Sequence, residues 1–165
     1  MSVFRPFWMI IILLFPVSAI FAEEENKADW EDIWVCVGAE TSFYSTAYPA
    51  IGGSLSFGYG SGLSLGVKLS LLFNDENIDT LELSFLLRLY LSGIDEHSGP
   101  YLQLLGGPVF FNRDGLKIPS DYGIISVGFC FGWRFIFYDN FFVEPSIRTG
   151  FPYIFGVSVS SGVRF

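Results

Sequence analysis

The sequence predicts an all-β fold: an eight-stranded antiparallel up-and-down transmembrane β-barrel, preceded by a cleavable N-terminal signal helix. Three observations carry that expectation. The 165-residue chain is 51% hydrophobic, yet beyond its first 22 residues it has no charge-free apolar run long enough for a spanning helix, which needs about 18 residues. From Ile33 onward the apolar residues recur at every second position in eight separate segments, the period of a strand. Within those segments every lysine, arginine and glutamate shares the side occupied by small residues.

Composition narrows the classes further. Aromatic residues make up 19% of the chain, far from the aromatic-poor signature of disorder. The formal net charge is −8, so nucleic acid is not an expected partner: phosphates repel an acidic chain without a basic patch. The length suits one folded domain.

Residues 1–22 read as a signal peptide. Arg5 supplies positive charge, Phe7 to Phe21 supply an apolar stretch, and Ala22 stands before Glu23-Glu24-Glu25. Cleavage is expected after Ala19 or Ala22, at a small residue. Residues 23–32 carry six acids and read as an acidic leader in water. The barrel is expected over residues 33–165. Cys36 and Cys130 fall on separate strands; they are expected as packed thiols, with a disulfide as the alternative in an oxidising compartment.

The first segment, about 33–42, sets Ile33, Val35, Val37 and Ala39 against Trp34, Cys36, Gly38 and Glu40. The second, about 50–60, sets Ile51, Leu55, Phe57 and Tyr59 against Gly52, Ser54, Ser56 and Gly58. The third, 63–73, opposes five leucines and valines and Phe73 to Ser64, Gly66, Lys68, Ser70 and Leu72. The fourth, 79–91, opposes Leu81, Leu83, Phe85, Leu87, Leu89 and Leu91 to Thr80, Glu82, Ser84, Arg88 and Tyr90. The fifth, 100–111, alternates through Leu102, Leu104 and Phe110, but Gly106-Gly107-Pro108 interrupts it, where a bulge is expected.

The sixth, 123–137, sets Ile125, Val127, Phe129, Phe131, Trp133 and Phe135 against Ser126, Gly128, Cys130, Gly132 and Arg134. The seventh, 141–150, sets Phe141, Val143 and Ile147 against Glu144, Ser146 and Arg148, with Pro145 removing one ladder donor. The eighth, 153–165, sets Tyr153, Phe155, Val157, Val159, Val163 and Phe165 against Gly156, Ser158, Ser160, Gly162 and Arg164. Short connectors rich in Gly, Asn, Asp and Ser separate them.

The solvent of each side follows from its chemistry. A water-soluble sandwich would show Lys, Glu and Thr on its outer face. Here the second side is mainly Gly and Ser, which suits the cramped interior of a small barrel. The apolar side is complete and rich in Leu and Phe, as lipid contact requires. A tilted strand of about ten residues, rising ~3.3 Å each, crosses an apolar band of about 25 Å. Backbone in lipid must be bonded internally, so such a sheet must close. Tyr59, Phe135, Phe137, Phe141 and Phe165 are expected as an aromatic girdle at one rim, and Phe73, Phe110, Tyr153 and Phe155 at the other.

Glu40, Lys68, Glu82, Arg88, Arg134, Glu144, Arg148 and Arg164 are expected to form a charge network in the lumen. Arg134 and Glu144 are equidistant from Asp139, so a tight turn there would set them opposite each other.

The last strand, Tyr153-Ile154-Phe155-Gly156-Val157-Ser158-Val159-Ser160-Ser161-Gly162-Val163-Arg164-Phe165, resembles the C-terminal assembly signal of bacterial outer-membrane β-barrels. That signal ends in an aromatic residue, with apolar residues at alternate positions before it: here Tyr153, Phe155, Val157, Val159, Val163 and Phe165. The preceding Phe141–Arg148 segment is similar to penultimate strands of such proteins. The size resembles the small eight-stranded OmpA/OmpX-like barrels. The resemblance implies integral residence in the bacterial outer membrane, contact with its lipids, and assembly by periplasmic chaperones and the barrel-assembly machinery, as a monomer.

The first functional expectation is therefore a structural or surface-interaction barrel with a lumen largely filled by polar side chains. The alternative is a narrow porin-like channel, since the second segment sends only Gly and Ser inward. A lipid A-modifying barrel enzyme ranks third, because the single histidine, His97, sits in an acidic connector beside Asp95 and Glu96, where solvation explains it. No catalytic residue, cofactor or metal site is expected. Asp75, Glu76 and Asp79 form a small acidic loop, read as solvated charge.

Overall fold

The computed structural model describes residues 33–44, 49–60, 62–74, 78–91, 98–113, 122–138 and 140–165. The expected signal segment 1–22, with its cleavage point at Ala19 or Ala22, and the leader 23–32 lie outside the described residues. So do His97, Asp75, Glu76 and Asp139.

Eight strands follow in order: β1 (Ile33–Tyr44), β2 (Pro49–Tyr59), β3 (Leu63–Phe73), β4 (Ile78–Tyr90), β5 (Gly99–Arg113), β6 (Tyr122–Phe137), β7 (Phe141–Phe151) and β8 (Tyr153–Arg164). Each pairs antiparallel with its neighbour in sequence, and β1 pairs with β8 to close the cylinder. Closure removes every open edge. At one rim, which we call the terminal rim, Ile33 faces Tyr59 and Phe137 faces Phe141, and the amide of Phe165 donates to the carbonyl of Ile33. Gly60 turns the chain there with φ 113°, a conformation that a Cβ would strain.

The two sides face as the alternation requires. Leu83, Phe131 and Val159 are 40%, 46% and 52% exposed on the outside, while Arg88 and Arg134 are 3% and 1% exposed within. A soluble sandwich would show the opposite. Trp133 stacks on Phe135, and Phe137 meets Phe141 near the terminal rim; Phe43 meets Phe155 at the far rim.

Two expectations need correction. No bulge forms at Gly106-Gly107-Pro108: β5 keeps one unbroken register against β6 from Gly99 to Phe111. The irregularity appears instead as missing ladder pairs on the β4 side, where Leu83 and Ser84 have no partner in the ladder. Pro108 has no N–H to offer. Pro145 acts likewise: the β6–β7 ladder skips Trp133 and Arg134 while keeping its register.

The second correction concerns Tyr153. It was expected to face outward with Phe155. It is 4% exposed and points into the lumen. The cause is a register shift between β1 and β8: Phe43 faces Phe155, but Tyr44 faces Tyr153. Ile154 is the extra residue, and both it and Phe155 stay outside. One inserted residue reverses the facing of everything beyond it. Tyr153 therefore leaves the aromatic girdle and the outward face of the last strand.

Candidate functional site

The barrel interior is the concentrated polar chemistry of the described chain. Alternate positions on all eight strands deliver it, β2 through Ser56. β1 supplies Trp34, Cys36, Glu40 and Ser42; β3 supplies Lys68 and Ser70; β4 supplies Glu82, Ser84, Arg88 and Tyr90; β5 supplies Tyr101 and Gln103. β6 adds Cys130 and Arg134, β7 adds Phe142, Glu144 and Arg148, and β8 adds Tyr153. Small residues make the room. A Cβ on Gly58 would collide with the Trp34 indole, and one on Gly132 with the Tyr101 ring.

The charges form two clusters. Nearer the terminal rim, Glu144 holds two guanidinium groups. Arg88 gives Nη1 to Oε1 at 2.7 Å and Nη2 to Oε2 at 3.2 Å, while Arg134 gives Nε to Oε1 at 2.5 Å. Arg88 also donates from Nε to Gln103 Oε1 at 2.8 Å and from Nη1 to the Tyr90 hydroxyl at 3.0 Å. Aromatic faces cover both cations. The Arg88 guanidinium lies 4.1 Å from the Tyr101 ring centre and 4.5 Å from that of Trp34; the Arg134 guanidinium lies 3.9 Å from that of Phe142. Desolvated contacts of this kind contribute about 2 kcal/mol. The Arg134 Nη1 and Nη2 atoms are buried with no hydrogen-bond partner among the described residues.

Further in, Glu40 pairs with Lys68 at 2.6 Å and with Arg148 Nη2 at 2.7 Å. Arg148 Nη1 donates to Glu82 Oε2 at 2.9 Å, and Arg148 also donates to Ser42. Glu82 receives the hydroxyls of Tyr153 at 2.6 Å and Ser84 at 2.7 Å. The Tyr153 ring lies 3.8 Å from the Arg148 guanidinium.

The ion pairs thus join Glu40, Lys68, Glu82, Arg88, Arg134, Glu144 and Arg148. Arg164 takes an inward position opposite Trp34 but is only half-buried at the end of β8. Arg134 and Glu144 meet across the β6–β7 hairpin. Sequence reasoning passed over Gln103, Tyr101 and Phe142 as network partners. Their alternation against Leu102, Leu104, Phe141 and Val143 held that signal.

Cys36 and Cys130 are both buried free thiols. The Cys36 sulfur lies 3.0 Å from Ser56 Oγ. Between the two charge clusters lies a cavity of about 20 Å³, bordered by Lys68, Arg88, Gln103, Arg148 and serines of β2, β7 and β8. That is room for one or two water-sized occupants. The lumen is a packed polar core, not an open bore.

The architecture is a closed eight-stranded antiparallel cylinder with an apolar outer wall and an ion-paired interior. No protein-family model and no curated protein matches the sequence. Solved structures do match in fold. Neisserial surface protein A superposes with a TM-score of 0.60 at 12% identity, over 81% of this chain and 96% of that one. The Yersinia pestis outer membrane protein Ail gives 0.55 at 12%, over 82% and 99%. The N-terminal β-barrel domain of Pseudomonas aeruginosa OprF gives 0.54 at 17%, over 80% and 97%.

Proposed function

We propose that this protein resides in the bacterial outer membrane as a closed integral barrel with a structural or surface-interaction role, not as a pore. The observation that carries this is the pairing of the two faces: an exterior of exposed Leu, Phe and Val, and an interior occupied by seven buried, ion-paired charged side chains. An outward Arg or Lys at mid-bilayer would cost about 2–4 kcal/mol; inside, each of these cations lies against a carboxylate, Arg88 and Arg134 sharing that of Glu144. Trp34, Tyr90, Tyr101 and Phe142 pack with Arg88 and Arg134 near the terminal rim, which argues against the channel reading.

The lipids of that membrane are the partners of the outer face. Phe155, Val157, Val159, Val163 and Phe165 remain on the outer side of the last strand and form the assembly signal through which chaperones and the barrel-assembly machinery would act. The chain works as a monomer in this reading.

The test combines two measurements on the protein refolded in detergent and then in lipid. A folded barrel migrates differently before and after boiling and resists protease. In planar bilayers it gives no discrete conductance steps. Regular single-channel steps would replace the closed reading with the porin-like one, and loss of the heat shift would remove the barrel itself.

A further inference from the structure

Counting charge in the two clusters leaves a remainder. Lys68 and Arg148 balance Glu40 and Glu82. Arg88 and Arg134 share the single carboxylate of Glu144. The described interior therefore carries one positive charge without a counter-charge, and Arg134 has two buried nitrogens without partners. An uncompensated charge in a low-dielectric core is costly. A closed cylinder gives bulk ions little chance to screen it.

The cavity between the clusters is suited to supply the missing charge. Its wall carries three cations, Lys68, Arg88 and Arg148, against one carboxylate, Glu144. Lys68 gives one of its three N–H bonds to Glu40. Serine hydroxyls from β2, β7 and β8 border the same space, and each can turn its hydrogen toward an acceptor. The volume of about 20 Å³ admits a monatomic ion or a water, not a carboxylate or phosphate group.

We propose that this cavity is a buried binding site for a small monovalent anion of the halide class, which neutralises the lumen. Lys68, Arg88 and the serine hydroxyls hold the ion. Both ends of the lumen are packed, by Trp34 and Phe142 near the terminal rim and by Ala50, Leu72 and Tyr153 toward the other. The anion is accordingly a structural component taken up on folding.

The experiment measures urea unfolding of the full barrel in lipid vesicles at constant ionic strength, with sodium chloride or bromide replacing sodium methanesulfonate. Halide should shift the folding equilibrium by the factor 1 + [halide]/Kd, about elevenfold when free halide is ten times its Kd. The Gln103→Glu variant places a carboxylate where the Gln103 amide accepts from Arg88. It neutralises the remainder covalently, so its stability should not respond to halide. Equal stability in halide and methanesulfonate, or an unchanged halide response in Gln103→Glu, would overturn the site. Should that variant fail to fold, anomalous scattering from crystals of the unaltered chain grown in bromide decides: a peak between Lys68 and Arg88 supports the proposal, and an empty cavity refutes it.

Discussion

Arg134 and Glu144 face each other across the β6–β7 hairpin, with Arg134 Nε 2.5 Å from Glu144 Oε1. Both are almost wholly buried, and Arg88 closes on the same carboxylate from β4. Among the described residues, Glu144 is thus the sole anionic partner of two buried guanidinium groups.

Replacing Glu144 with Ala leaves both cations buried and unpaired. The expected loss is about 3–5 kcal/mol, read as a lower urea midpoint of the refolded barrel. Arg164→Ala, at the half-buried end of β8, should change the midpoint far less. Similar losses in both variants would contradict the central place given to Glu144.

Leu83→Arg and Phe131→Arg place a cation on the outer wall. Each is expected to lower stability in lipid vesicles by about 2–4 kcal/mol if its site lies near mid-bilayer, whereas Tyr59→Arg at the terminal rim should cost about 0–1 kcal/mol. Equilibrium unfolding from vesicles checks the ranking. A flat profile would mean that this wall does not touch hydrocarbon.

Tyr153→Phe removes the hydroxyl that donates to Glu82 Oε2 at 2.6 Å. A hydrogen bond to a charged group contributes about 1.5–3 kcal/mol, and a loss of that size is expected in the unfolding midpoint. Phe155→Tyr, two residues away on the outer face, should be close to neutral. The contrast tests the reversal of facing at Ile154.

Gly58→Ala would drive a methyl group into the Trp34 indole, whereas Gly53→Ala meets only the Gly38 carbonyl at 3.5 Å. Overpacking costs about 1–3 kcal/mol, so Gly58→Ala should destabilise and Gly53→Ala should be tolerated. Trp34 fluorescence would move in the first variant only.

Most of the cylinder was legible because facing in a strand has a strict period of two, and the hydrocarbon outside forbids charge. That rule placed Leu83 outside and Arg88 inside without reference to any neighbour. It failed at Tyr153, because an extra residue leaves no mark in local alternation: Tyr153-Ile154-Phe155 reads equally well in either facing. The expected bulge at Gly106-Gly107-Pro108 failed for a related reason. Proline and glycine reveal a missing donor and a close approach, and Gly107 indeed lies against the Leu83 backbone, but neither residue dictates a change of register. The Arg134–Glu144 pair was legible from hairpin spacing. The pairings of Glu40 with Lys68 and of Arg148 with Glu82 were not, since they depend on how far each strand slides past the next around the circle.

Pro108 and Pro145 each interrupt the backbone bonding toward one neighbour, β4 and β6 respectively. The staves of the cylinder are therefore unequally glued. Under sideways tension or slow thermal breathing, water and deuterium would reach the backbone first beside Leu83 and Trp133, while the uninterrupted β5–β6 seam would hold longest.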